Sequence, residues 1–275
     1  GVPEVLSQPA ISVQESESDK DRPKEYRLFA ITWVNDWGEE GGTTNPVKVT
    51  STLGSYSIQV PNNPGYSARV YLSPPGGETL YSQGDFPSNK PASISTPDET
   101  GPVLQQVGLR RPPRGNRIAT QGGVICVASG PYLFFTEPFR PHVCNLAFNF
   151  VQYPEEITML LSGIGGLYVG SDECYLLSNV ESDNIQQRSV LSYPPTKDSG
   201  VVVEDGRAVW LTKYGLAVES SEQGTPTISE PTKQTFSPPQ ADLGRTGYFE
   251  VGGRQIVVSS LSQRSGSTGR LAAGD

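Results

Sequence analysis

One histidine, His142, and three cysteines, Cys126, Cys144 and Cys174, are all the imidazole and thiol that 275 residues contain. An odd number of cysteines without short spacing gives neither a disulfide framework nor a zinc pattern. The thiols are therefore expected to be reduced and mostly buried, and no metal or other cofactor is expected. A Ser–His–acid triad would have to use His142, which stands between Pro141 and Val143 with no nucleophile-elbow pattern nearby. No apolar stretch reaches the roughly 18 residues that a membrane-spanning helix needs, so no membrane insertion is expected. No signal peptide is visible, and the chain opens on Gly1 rather than Met, which reads as processing or an added tag. A basic excess is also missing: 21 Lys and Arg stand against 29 Asp and Glu, for a net charge of −8. That balance argues against gripping nucleic acid by phosphate neutralisation. It suits a wall past which DNA slides without being held. Hydrophobic residues make only 35% of the chain, and no long amphipathic helical pattern occurs.

Turn formers are plentiful instead, with 30 Gly and 24 Pro. Short strands joined by many turns satisfy both the low apolar content and this punctuation. The first clear strand is Tyr26–Val34, aromatic and β-branched at nearly every position, ending in the turn Asn35-Asp36-Trp37-Gly38. Val47–Thr50, Ser55–Val60, Ala68–Leu72 and Thr79–Gln83 follow at about ten-residue spacing, the pattern of a β-sandwich. Trp33 is expected in the core and Trp37 in the turn. Before these strands lies a polar arm with an acidic run from Glu15 to Asp21.

The composition then turns to Pro, Ser, Asp and Gly, and residues 91–117 read as a Pro/Arg-rich linker between a first domain over 1–90 and a second over 118–275. Arg110, Arg111 and Arg114, with Arg117 close behind, are candidates for contacting phosphate or an acidic neighbour. In the second half, hairpins turn at Gly130, Gly163–Gly166, Gly206 and Gly252-Gly253, with starts about 32 to 47 residues apart. That period suits β-propeller blades, although a second sandwich or a barrel gives similar hairpins. The fold expected is thus all-β: a β-sandwich, then propeller-like antiparallel hairpins with a polar tail after Ser259.

Several groups invite a chemical reading. Glu39/Glu40, Glu155/Glu156 and Asp172/Glu173 are paired carboxylates, but neighbours on a strand point to opposite faces, so a glycosidase pair is not indicated. Gly163-Ile164-Gly165-Gly166 is followed by strand-forming Leu-Tyr-Val rather than a helix, which makes it a tight turn and not a phosphate cradle. No catalytic residue is assigned.

One stretch resembles a known family. Tyr132-Leu-Phe-Phe-Thr-Glu-Pro-Phe-Arg-Pro-His142 is similar to the F-S-E-P-Y-R-P-H stretch of the tail nozzle proteins of short-tailed bacteriophages, also called tail tubular protein B. Tyr26–Pro46, with Phe29–Gly41 at its centre, resembles the strand and turn of that family's fibronectin-III-like segment, and Arg69–Leu72 with Glu78–Tyr81 resembles its next strand pair. Gly166–Gly170, Cys174–Leu177 and Val209–Leu216 resemble its propeller strands. The similarity runs in order from about residue 26 to 220. It implies a virion structural protein, assembled in the host cytoplasm and placed in the tail or neck. Copies would close into a ring, six-fold by preference and twelve-fold at a neck. Double-stranded DNA would pass through without specific binding, and adaptor, tail or fibre proteins would attach outside. Under this resemblance Glu137, Arg140 and His142 become candidate subunit-contact residues beside Arg110, Arg111 and Arg114. The rival readings are a β-rich receptor- or carbohydrate-binding module, with exposed aromatics gathered in a cleft, and a propeller glycosidase.

Overall fold

The computed structural model describes residues 2–5, 10–14, 23–43, 45–52, 55–95, 97–222, 224–231, 233 and 243–262. The acidic run Glu15–Asp21 and the part of the tail beyond Ser262 lie outside them. The protein is all-β, with antiparallel sheets and no helix among the described residues. It divides into two compact units, residues 1–112 with 140–149, and residues 113–139 with 150–275.

The first unit contains β1 (Ala10–Gln14), β2 (Glu25–Val34), β3 (Val47–Ser51), β4 (Ser55–Gln59), β5 (Ser67–Leu72), β6 (Tyr81–Pro87) and β7 (Pro91–Ile94). They form a three-stranded sheet, β1-β4-β7, and a four-stranded sheet, β3-β2-β5-β6. Alternate residues of facing strands build one core: Phe29, Ile31 and Trp33 from β2, Tyr56 and Ile58 from β4, Ala68, Val70 and Leu72 from β5, and Ala92 and Ile94 from β7. This is the expected sandwich. The other face of β2 is covered too, because Ala30, Tyr71 and Leu80 pack with Leu28 and Leu104. That second layer explains why β2 is apolar at nearly every position instead of alternating.

Residues 91–112 are therefore not the linker the composition suggested. β7 completes a sheet, and the segment after it is pinned to the sandwich by Ser82 N–H on the Pro102 carbonyl (2.9 Å), Leu104 N–H on Leu80 (2.9 Å) and Thr43 N–H on Gln106 (3.0 Å). Few of its residues are apolar, but Ala92, Ile94, Leu104 and Leu109 sit where they are needed. Ala92, Ile94 and Leu109 are buried. The division between units falls after Pro112, and the chain returns to the first unit for residues 140–149.

The second unit contains β8 (Arg117–Gln121), β9 (Val124–Ser129), β10 (Tyr132–Phe135), β11 (Phe150–Gln152), β12 (Met159–Gly163), β13 (Gly166–Gly170), β14 (Cys174–Ser178), β15 (Gln186–Leu191), β16 (Val201–Val202), β17 (Ala208–Thr212), β18 (Gly215–Glu222), β19 (Thr225–Ser229), β20 (Leu243–Val251) and β21 (Arg254–Ser262). These make three successive four-stranded sheets, β8–β11, β12–β15 and β16–β19, with strands in chain order, and then a two-stranded sheet, β20-β21. Leu167 and Val169 of β13 pack with Val124, Cys126, Ala128, Leu133 and Phe135 of the first sheet. Tyr168, between them in sequence, points the other way and packs with Trp210 and Ala217 of the third. The second sheet is thus covered on both faces, and every residue of β13 is buried. The first strands of the four sheets lie side by side in order: β8 by β12, β12 by β16, β16 by β20.

Candidate functional site

The run Tyr132–His142 begins on β10 of the second unit. β10 puts Leu133 and Phe135 into the core and turns Tyr132 and Phe134 to the other face. There, with Phe150 of β11, they form a cluster with ring centroids 5.9 to 6.1 Å apart. After β10 the backbone stays tied to β9. Thr136 donates its N–H to the Ile125 carbonyl (3.0 Å), and its Oγ1 accepts the Ile125 N–H (2.9 Å). Phe139 N–H reaches the Gly123 carbonyl (2.9 Å). Phe139 holds a φ of +57°, and its ring lies over the Gly122-Gly123 turn so closely that a Cβ on Gly123 would stand 2.6 Å from Cε1. Gly123 itself has a φ of +77°, so both shape and backbone demand glycine there. Glu137 is half-buried in this stretch.

Arg140 and His142 belong to the first unit. A turn closes from the Val143 N–H to the Arg140 carbonyl (3.2 Å). His142 Nε2 lies 3.1 Å from the Glu40 carbonyl oxygen. That partner only accepts, so Nε2 carries a hydrogen. Nδ1 stands 4.0 Å from the Glu39 carboxylate. The imidazole thus fastens the loop to the turn that follows β2. Beyond it, buried Cys144 exchanges both backbone hydrogen bonds with Arg110 (2.8 and 2.7 Å). Of the arginine candidates, Arg110 and Arg111 have exposed side chains in the first unit, and Arg110 lines a cavity of about 270 Å³ with Glu4, Thr43 and Leu109. Arg114 is exposed in the second unit. Arg117 leaves this basic group. It turns its guanidinium to Asp198, with Nε at 3.0 Å and Nη2 at 2.6 Å from Oδ1, and to the Ile157 carbonyl (2.7 Å).

No protein-family model matches the chain, and no curated protein matches it.

The carboxylate pairs are largely committed to local partners. Glu40 is half-buried under four donors: Thr32 Oγ1 (2.5 Å) and Tyr71 Oη (2.6 Å) on Oε1, Arg69 Nη1 (3.2 Å) and Gln106 Nε2 (3.2 Å) on Oε2. Burial, reinforced by Glu40, holds the Tyr71 hydroxyl well above the usual tyrosine range. Glu39 accepts from Asn35 Nδ2 (2.7 Å), Asp172 from Tyr175 Oη (3.0 Å), and Glu173 from Ser189 Oγ (2.7 Å). Among the described residues no three His, Cys, Asp or Glu side chains are grouped to hold a metal ion.

The Gly163–Gly166 segment is the expected tight turn, joining β12 to β13. Its amides nevertheless hold an anion, and the anion is the protein's own. Glu219, on β18, is 2% exposed. Its carboxylate accepts the N–H of Ile164 (3.1 Å), Gly165 (2.5 Å) and Ala208 (2.9 Å). A Cβ on Gly163 would fall 2.2 Å from Glu219 Oε2, and one on Gly165 would fall 2.5 Å from Pro226. The glycines are there to let a neighbouring sheet's carboxylate approach. The sequence sign of this role is an acid that directly follows the apolar run Leu216-Ala217-Val218, in phase with Ala217 on the strand. Trp33 is in the core as expected, and Trp37 stands 87% exposed on its turn.

Proposed function

We propose that this chain is a bacteriophage virion structural protein of the tail nozzle type, forming a ring in the tail or neck. The observation that carries the reading is the run Tyr132–His142 and its likeness to the nozzle stretch. Its aromatic part is fixed on β10, and its Arg-Pro-His end is fastened by Nε2 of His142. The three four-stranded sheets support the propeller part of the reading. Their strands follow chain order, and their first strands lie side by side, as the inner strands of successive blades do. On this reading the work is mechanical. The net charge of −8 keeps passing DNA unattached, and exposed Arg110, Arg111 and Arg114 meet acidic neighbours in the tail. Quantitative mass spectrometry of purified virions should find six or twelve copies per particle, located by cryo-electron microscopy between capsid and tail tip. Absence from the particle overturns the proposal.

A second reading rests on a specific feature. Tyr132, Phe134 and Phe150 form an aromatic platform, with Tyr132 and Phe150 each 37% exposed, and such surfaces stack on sugar rings. A glycan array on the purified chain, with Tyr132→Ala as control, tests it. Binding lost in that variant would move the protein to a carbohydrate-binding role.

A further inference from the structure

Among the described residues the fourth sheet of the second unit has two strands where its three predecessors have four. β21 runs for nine residues, Arg254–Ser262, in unbroken register with β20, and no strand pairs with its other edge among the described residues. An open edge of that length is a template for pairing, and proteins ordinarily blunt it with charge, proline or a bulge. After Arg254, the first residue of β21, none of these is present. Residues 255–262, Gln-Ile-Val-Val-Ser-Ser-Leu-Ser, carry no charge and no proline. The outer face of the hairpin exposes four apolar side chains, Phe249 (46%), Val251 (59%), Ile256 (36%) and Val258 (54%), between Arg245 and Arg254. The opposite face rests on the third sheet's side, where Gly244 is buried with its N–H on the Lys197 carbonyl (2.8 Å).

We propose that β21 pairs antiparallel with β21 of a second copy of this chain about a twofold axis. The partner is inferred to be a second copy for three reasons. Two hairpins make a four-stranded sheet, β20-β21-β21-β20, the strand number of every other sheet in the unit. The uncharged edges meet without repulsion, where most charged partners would be met only at Arg254. Pairing about Val258, the central residue of β21, also engages all nine residues of each edge. That register places Arg254 opposite Ser262, Gln255 opposite Leu261, Ile256 opposite Ser260, Val257 opposite Ser259, and Val258 opposite itself. Opposed residues share a face, so Val258 meets Val258 of the second copy with both Ile256 side chains diagonal to it, a cross-strand apolar cluster. The contact is independent of the tail reading. Combined with a cyclic contact it would join two rings and double the copy number.

Two measurements on the full chain test it. Sedimentation should show concentration-dependent doubling of mass in the micromolar range. Val258→Lys sets two like charges face to face at the axis and should weaken the pairing at least about tenfold. Ile118→Lys, at a residue 65% exposed on β8, should leave it intact. Second, Val258→Cys with oxidised glutathione should give a disulfide-linked dimer on a non-reducing gel. Ser262→Cys should not, because its two copies would lie about 27 Å apart. Cross-linking by both variants, or by Ser262→Cys alone, refutes the register. No doubling in the wild type together with no cross-link refutes the pairing. A ring that persists unchanged in Val258→Lys and never cross-links refutes this contact while leaving the tail reading standing.

Discussion

Replacing Glu219 by glutamine should destabilise the second unit although the side chain keeps its size. The carboxylate takes three backbone N–H groups on two oxygens, Ile164 and Ala208 on Oε2 and Gly165 on Oε1. A glutamine has one oxygen to offer. Placed like Oε2, it retains two bonds and turns its NH2 against the Gly165 N–H, donor against donor. The lost bond leaves a buried amide unsatisfied, at about 1–3 kcal/mol, and the two that remain change from charge-assisted to neutral, about 1 kcal/mol less each. Neutralisation also works the other way, because a buried charge is costly to desolvate. The N–H dipoles already compensate much of that cost here, so we expect a net loss of about 2 kcal/mol. For a unit of this size that is a melting temperature lower by roughly 4–8 °C. Trp210 reports it by fluorescence, since it is fully buried with its ring centroid 5.3 Å from that of Tyr168 beside the site. Glu219→Leu should fall further, because it satisfies none of the three amides. A glutamine variant melting at or above the wild-type temperature would show that removing the charge outweighs the three amides. A leucine variant as stable as the glutamine one would show that the amides need no acceptor there.

Burial pushes the Cys126 and Cys174 thiols up to about 12. Both should resist alkylation at pH 8 in the folded protein and react in urea, which thiol titration with and without denaturant checks. The same shift sets a sign for alkaline stability. Between about 8.5, the unfolded thiol value, and about 12 the unfolded chain gives up protons that the folded chain keeps. Stability is thus full below that window and falls as pH rises through it, by about 1.4 kcal/mol per pH unit for each thiol, as urea midpoints should show. Glu40→Gln sets an NH2 against donors now facing the carboxylate, two of which, Arg69 and Gln106, share Oε2. The first unit should lose about 2 kcal/mol in urea unfolding. His142→Ala removes one hydrogen bond to the Glu40 carbonyl. Hydrogen exchange should speed locally at the Cys144 and Arg110 amides, with a global loss of only about 1 kcal/mol.

The strands legible in the sequence are those with one or two buried faces. Tyr26–Val34 announced β2 within a residue, and its unbroken apolar run carried a further message, that something covers its second face. Residues 98–109 do so with Leu104 and backbone hydrogen bonds. A segment held mainly through its backbone leaves little trace in side-chain composition, which is why it read as linker. The strands that were not legible are outermost in their sheets. β15 is exposed over Gln186–Ser189, β11 has one half-buried residue of three, and β19 has three half-buried residues of five. A strand with one neighbour needs few apolar residues, so periodicity has nothing to detect. Three of the four units read from the sequence are four-stranded sheets once these edges and β8 are added, while the last, β20-β21, has the two strands read for it.

The same physics separates the legible from the illegible among the candidate groups. His142 stood out because it is the only histidine, yet its ring is taken up by a carbonyl and a distant carboxylate. Glu219 had no such mark, and it joins two sheets through three amides. The glycines that receive it were read as turn formers, which they are, but at Gly163 and Gly165 the decisive property is the missing Cβ, and that shows only when the neighbouring sheet is in place. Sheet-to-sheet junctions of this kind are built from residues far apart in sequence, 54 positions between Gly165 and Glu219. Local pattern therefore predicts the sheets, while the contacts between sheets depend on single residues. It is at such single residues, Glu219 inside the unit and Val258 at its open edge, that substitution separates folding from association.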